Sequence, residues 1–238
     1  MNKIFYLFYI FALNSFAFEK SICGPTDDRQ ISSDPRIGRV NDGTRSVCTV
    51  TLIGKTCALT AGHCLSILNE VSFNVPISRN GEIANSDQKD RYKVDTDEIY
   101  YADNGQGDDY AVIKILPNTI TQKYPGEAQG FYDVSFERVK NQDEVYVIGY
   151  GKDERGDRNH AQQIHQGQII SQNLSQVEHS VDTRFGNSGS VIIDSISKKI
   201  IGIHTHGACY SSGGGNLGTL INRHNRLTQA IKNCLSMD

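Results

Sequence analysis

Short apolar runs recur along the chain with two-residue alternation. They are "SVCTVTLIG", "TCALTA", "YAVIKIL", "DEVYVIGYG", "GSVIIDS" and "KKIIGIHT", separated by Gly, Asn and Asp. Their Val, Ile, Tyr and Thr content and turn-forming breaks predict antiparallel β structure. Helical periodicity is clear only at the end. There "INRHNRLTQAIKNCLS" puts Leu227, Ala230, Ile231 and Cys234 on one face. The expected fold class is therefore all-β with a short C-terminal α-helix. "LPNTITQKYPGEAQGFYDVSF" (116–136) has little apolar period and two prolines, and it reads as a linker between two β lobes. The polar stretch "NGEIANSDQKDRYKVDTDE" (80–98) reads as solvated hairpin loops. "SSGGG" (211–215) reads as a flexible loop at a cleft edge. No GxxxxGK[ST] phosphate loop occurs.

The N-terminus changes the cellular picture. In "MNKIFYLFYIFALNSFAFEK", Lys3 precedes an apolar run over residues 4–13, and Ser15 and Ala17 sit at small-residue cleavage positions. This pattern predicts a signal peptide cut after Ala17. The run is shorter than the ~20 residues of a spanning helix. The expected product is exported, extracellular or periplasmic, and not held by a membrane. Six cysteines follow the cut: Cys23, Cys48, Cys57, Cys64, Cys209 and Cys234. An even count in an exported chain predicts three disulfides, with about 15 possible pairings. Without a CxxC pair, zinc is the weaker reading, and no metal or other cofactor is expected. A net charge of −3 over 238 residues gives no reason to expect nucleic acid or anionic membrane as partner. The length suits one large domain or two small lobes.

Three stretches carry chemistry. "DTRFGNSGSVII" sets Ser188 among glycines, which let main-chain N–H groups turn inward and a carbonyl approach closely. A serine hydroxyl needs a base to attack a carbonyl. "TAGHC" (60–64) supplies His63, which could otherwise be a metal ligand or a packed ring. The base needs a third group to fix its tautomer. "GDDYAVIKI" offers Asp109, which adjoins an apolar strand directly, whereas Asp108 reads as a solvated turn residue.

In the order His, Asp, Ser, "TAGHC", "DYAVIKI" and "GNSGS" resemble the chymotrypsin-like (trypsin-fold) serine endopeptidases over roughly residues 24–236. The resemblance implies two six-stranded antiparallel β-barrels packed face to face. The expected division is a leader (1–17), a tail (18–36), a first barrel with His63 and Asp109 (37–120), a second with Ser188 (121–220) and the helix (221–238). It implies a Ser188–His63–Asp109 triad, an oxyanion hole from the amides of Gly186 and Ser188, and polypeptide substrates cut by a monomer. Thr205 matches the position whose hydroxyl supports the buried aspartate, and Gly207 the one that pairs with extended substrate. The resemblance also implies Cys48–Cys64. In that fold the Cys57 strand packs on the C-terminal helix, pointing to Cys57–Cys234 and leaving Cys23–Cys209.

Two departures refine the branch. Asn187 stands where trypsin-like zymogens carry the aspartate that pairs with a new N-terminus, so "PRIGRV" (35–40) reads as the start of a strand and not as an activation cut. Together with the "DDRQ" lead-in (27–30), the motifs look like the bacterial glutamyl-endopeptidase branch. Its acid-binding histidine and threonine match His204 and Thr183, with Arg184 and His206 as nearby cations. His204 and His206, at i and i+2, are also weighed as metal ligands. Asp182 argues the other way: it lies where trypsin-like enzymes place the carboxylate that selects Lys or Arg. A non-catalytic binding protein on the same fold and an esterase are the competing functions.

Overall fold

The computed structural model describes residues 21–41, 47–80, 82–210 and 213–238. The predicted leader and residues 211–212 of the glycine loop lie outside them. The strands are β1 (Gln30–Ile31), β2 (Ile37–Asn41), β3 (Val47–Leu52), β4 (Cys57–Thr60), β5 (Glu70–Ser72), β6 (Arg91–Asp103) and β7 (Asp109–Ile115). A short helix, α1 (Pro125–Gln129), lies in the linker. Then come β8 (Glu144–Gly149), β9 (Gln163–Asn173), β10 (Gln176–His179), β11 (Val191–Asp194), β12 (Ile200–His206), β13 (Asn216–Leu220) and α2 (Asn225–Ser236).

They form two six-stranded antiparallel barrels. The first closes in the order β2-β3-β4-β7-β6-β5. The second runs β8-β9-β10-β13-β12-β11 and closes where β11 pairs with β8. β1 adds to the outside of β9, with Gln30 opposite Ile164.

Alternation explains the packing. On β7, Ala111, Ile113 and Ile115 fill the first barrel, while Tyr110 and Val112 face the interface between barrels. On β11, Ile192 enters the second barrel, and Val191 and Ile193 face the interface. A strand covered on both faces reads as a continuous apolar run, as "YAVIKI" and "SVII" do. Helix α2 lays its predicted face, Leu227, Ala230, Ile231 and Cys234, onto that interface core. His224 caps it by accepting the Leu227 N–H.

One expectation is corrected, and one strand was not foreseen. The stretch read as solvated loops contains the first half of β6, with Tyr92 and Val94 buried. A register break between Asp95 and Ile99 interrupts its alternation. The polar "QIHQGQIISQN" forms β9, a long strand that the apolar pattern did not signal.

Three disulfides are present: Cys23–Cys209, Cys48–Cys64 and Cys57–Cys234. The last ties β4 to α2 across 177 residues. Replacing Cys57 and Cys234 together by serine should cost roughly 2–4 kcal/mol. It should appear as a lower urea midpoint with a steeper slope, because the unfolded chain loses a constraint across 177 residues. A midpoint within error of the parent would show that the apolar face alone holds α2.

Candidate active site

Strand β4 ends at Thr60, and a 3₁₀ turn over Gly62–Ile67 follows with His63 on it. Only glycine fits at 62, because a Cβ there would collide with the Ala102 carbonyl. Asp109 opens β7 and is fully buried. Its Oδ1 accepts the Gly62 N–H at 2.6 Å and the His63 N–H at 3.2 Å. Its Oδ2 lies 2.6 Å from His63 Nδ1. That hydrogen bond raises the His63 pKa above 6.5, outweighing the opposing effect of burial. Asp108 instead meets His224 Nε2 at 2.7 Å.

Ser188 lies on the loop between β10 and β11. The loop is seated on the first barrel by Thr49, a residue sequence reasoning did not single out. The Thr49 N–H donates to Ser188 O at 2.8 Å, and its hydroxyl donates to Gly186 O at 2.9 Å. Gly186 and Gly189 have φ of +101° and +86°. A Cβ on Gly189 would strike the Thr49 carbonyl and approach Ala61 N, so only glycine lets the loop sit against the His63 turn. Ser188 O comes within 3.9 Å of the Cys64 sulfur. The Ser188 hydroxyl itself makes no hydrogen bond to His63; such contacts often tighten only when substrate binds. The Phe185 carbonyl accepts from Lys152 N at 2.7 Å, while the N–H groups of Gly186 and Ser188 donate to no group among the described residues.

The predicted pocket residues separate. Thr183 is 1% exposed, and its hydroxyl has no partner among the described residues. His204 is buried with its Nδ1 3.3 Å from Nε2 of His179, another residue missed in the sequence. His179 Nδ1 accepts the Val181 N–H at 3.3 Å, so its proton sits on Nε2 and is donated to His204. A neutral His204 must then carry its own proton on Nε2. Burial keeps both rings neutral, taking the His179 pKa down to about 3 and His204 well below 6.5. No sequence pattern marks His179, because its role depends on a neighbouring strand.

Asp182 is not a free pocket carboxylate. It is 2% exposed, and its oxygens accept the N–H groups of Cys23 at 2.7 Å and Asp28 at 3.2 Å. The expected support of Asp109 by Thr205 is also corrected. A register break between His204 and His206 aims the Thr205 hydroxyl at Leu217 O, 3.4 Å away, and His206 Nδ1 lies 2.9 Å from it. Thr219 braces Asp109 instead, its hydroxyl donating to the Asp109 carbonyl at 2.9 Å. His206 stands beside His63, ring centroids 5.9 Å apart, rather than facing a shared ion with His204. Gly207 is exposed just past β12. Arg184 lines a polar cleft with Asp27, Lys152, Asp153 and Arg155. Ile37 opens β2 fully buried, and its N–H is bonded to Asp34 O.

Two groups among the described residues bring three metal-ligand atoms within 4.8 Å. One, Cys48, His63 and Cys64, has its sulfurs in a disulfide. In the other, Asp28, His165 and Asp182, main-chain amides occupy the Asp182 oxygens and His165 Nδ1.

The trypsin family model matches residues 24–231. Among solved structures, a Glu endopeptidase in complex with MPD superposes with a TM-score of 0.69 at 23% identity, covering 90% of this chain and 99% of that one. The thermostable serine protease AL20 from an extremophilic microorganism gives 0.67 at 13%, covering 86% and 99%. The protease Anisep from Arthrobacter nicotinovorans gives 0.64 at 15%, covering 87% and 99%. No curated protein matches the chain. With two closed barrels, the ordered His, Asp and Ser loops and a family match over nearly the whole described chain, the protein belongs to the trypsin family and is a serine endopeptidase.

Proposed function

We propose that Ser188, His63 and Asp109 cleave polypeptides through an acyl-enzyme, and that the residue before the cut is preferably acidic. The observation that carries the first part is the 2.6 Å contact of His63 with buried Asp109, with the Ser188 loop held on the same barrel by Thr49. With Nδ1 held by the carboxylate, His63 Nε2 is the basic nitrogen. Ser188 Oγ attacks the carbonyl carbon as Nε2 takes its proton. The N–H groups of Gly186 and Ser188 receive the oxyanion, each donor worth about 3 kcal/mol. His63 then returns the proton to the departing amine, and water releases the acyl group by the same steps.

The preference rests on the His204 donor and on Thr183. A neutral Nε2–H and a buried hydroxyl without a partner among the described residues suit a carboxylate. The carboxylate that would have favoured Lys or Arg is already occupied by the tail. One structural neighbour is itself a Glu endopeptidase. Three disulfides suit an oxidising compartment outside the cytoplasm. No helix among the described residues is long and apolar enough to cross a membrane. We take the working form to be a monomer.

Ser188→Ala should lower turnover at least ~10³-fold, with an organophosphate labelling only the parent serine. Equal activity in both would leave a binding protein or another nucleophile. The pH profile should be set by His63, which must be unprotonated to act. Because Asp109 raises its pKa, kcat/KM should rise with pH through a value above 6.5. Asp109→Asn should move that limb to lower pH and cut kcat about 10⁴-fold. A limb at or below 6.5 in the parent would contradict the pairing.

Digestion of a peptide library should show cuts after Glu or Asp well above Gln. His179→Leu, which removes the donor to His204 Nδ1, frees that ring to take the other tautomer and should reduce the Glu-over-Gln ratio by about tenfold, as the His204 donor to the substrate carboxylate is lost. Cuts after Lys or Arg would discard His204 and restore Asp182.

A further inference from the structure

The second barrel buries a guanidinium that the chemistry above does not use. Arg29 sits on the N-terminal segment and is 2% exposed. A buried cation is tolerated only when its donors are satisfied. Nε and Nη2 donate to Asp27 at 2.9 and 2.7 Å, and Nη1 donates to Gln163 Oε1. Nη2 also donates to the Lys152 carbonyl at 2.9 Å. Asp153 Oδ2 lies 3.7 Å away and is itself paired with Arg155.

The contact with Lys152 leads to the reaction centre. The N–H of Lys152 donates to the Phe185 carbonyl at 2.7 Å. In a trans peptide the C=O of one residue and the N–H of the next point in opposite directions. Fixing the Phe185 carbonyl toward Lys152 therefore fixes the Gly186 N–H away from it. Gly186, at φ +101°, would accept the reversed peptide readily. Reversal would put a carbonyl where the oxyanion forms. Arg29 and Asn187 also close around Gly151, where a Cβ would strike both Nη1 and Asn187 Oδ1. That Asn187 oxygen accepts the Arg184 N–H at 3.0 Å and closes the turn carrying Gly186.

The segment is anchored independently of Arg29. Cys23 is bonded to Cys209, Asp182 accepts two of the segment's amides, and Ser21 O accepts from Thr183 N at 3.0 Å and Asn216 Nδ2 at 2.7 Å. Arg29 is thus delivered to its place by a tether with several attachments.

We propose that Arg29 is a positioning residue for the oxyanion hole, acting through Lys152 to hold the Phe185–Gly186 peptide with its N–H toward the substrate. The proposal rests on the assignment of the Gly186 and Ser188 amides as oxyanion donors.

The test compares the parent enzyme, Arg29→Met, Arg29→Lys and Ser188→Ala. Steady-state rates on a small ester are normalised to competent sites counted by the acyl burst. Inhibition is measured with a peptide boronic acid, whose tetrahedral adduct fills the oxyanion site, and with the corresponding product carboxylic acid, which does not acylate. Arg29→Met should lower kcat per competent site at least tenfold, toward the ~10²–10³-fold cost of a lost donor. KM should stay within about twofold. Boronate affinity should fall in parallel with kcat/KM, with product affinity nearly unchanged, and Arg29→Lys should lie between.

Unchanged kcat per titrated site, or equal weakening of boronate and product, would overturn the role of Arg29 alone. Full activity in Ser188→Ala would overturn the site assignment and this proposal with it. If Arg29→Met does not fold, Arg29→Lys and Gln163→Leu, which removes the Nη1 acceptor, decide by the same boronate-to-product ratio.

Discussion

A carboxylate with no access to water governs the centre of this molecule. Asp109 is fully buried where the two barrels meet. A buried charge is kept only when donors replace its hydration. Three of them come from one turn: the amides of Gly62 and His63 and the ring Nδ1 of His63. The need to satisfy Asp109 thus shapes the turn, the turn requires glycine at 62, and the ring leaves in one tautomer with its other nitrogen free. The second barrel contributes through Thr219, which braces the main chain of the same aspartate.

The serine loop is fixed by the opposite strategy. No buried charge stands at Ser188 or its flanking glycines, and their constraint is steric and by hydrogen bonds to main-chain carbonyls. Thr49 donates twice into the loop, by N–H and by hydroxyl, and the same hydroxyl accepts the Tyr150 N–H at 3.0 Å. One side chain therefore joins β3, the loop and the start of the 150–153 segment. The Cys48–Cys64 bridge flanks this contact, linking the residue beside Thr49 to the residue beside His63. Base and nucleophile are positioned from the same few residues of the first barrel, although they are far apart in sequence.

What was legible follows from how local each requirement is. His63, Asp109 and the Ser188 loop stand out because their chemistry demands small residues and an apolar strand within a few positions. The α2 face and the buried runs of β7 and β11 are legible for the same reason. Strand β9 was not, since its outward positions carry Gln and Ser and little of it is deeply buried. Strand β6 was obscured by its register break, which destroys the two-residue period. Thr49 and His179 look like ordinary strand residues; their roles come from partners on other strands. The bulge in β12 likewise redirects Thr205 in a way that spacing cannot encode.

Asp182 shows why pocket chemistry resists reading by position. Placed by sequence alone, it predicts attraction for a cationic side chain. In the folded protein the N-terminal segment delivers two main-chain N–H groups to its oxygens, and burial raises its pKa despite them. A carboxylate so engaged has neither the free lone pairs nor the exposure to reward a Lys or Arg ligand. The same segment carries Arg29 to the far side of the serine loop. A stretch outside both barrel rings, attached by β1 pairing, one disulfide, the Thr183 N–H to Ser21 O bond and side-chain contacts, therefore touches the two features on which specificity and rate would depend. Its sequence, "SICGPTDDRQI", is polar and without period. Its importance lies in which buried groups it satisfies, and that is a property of the assembled fold.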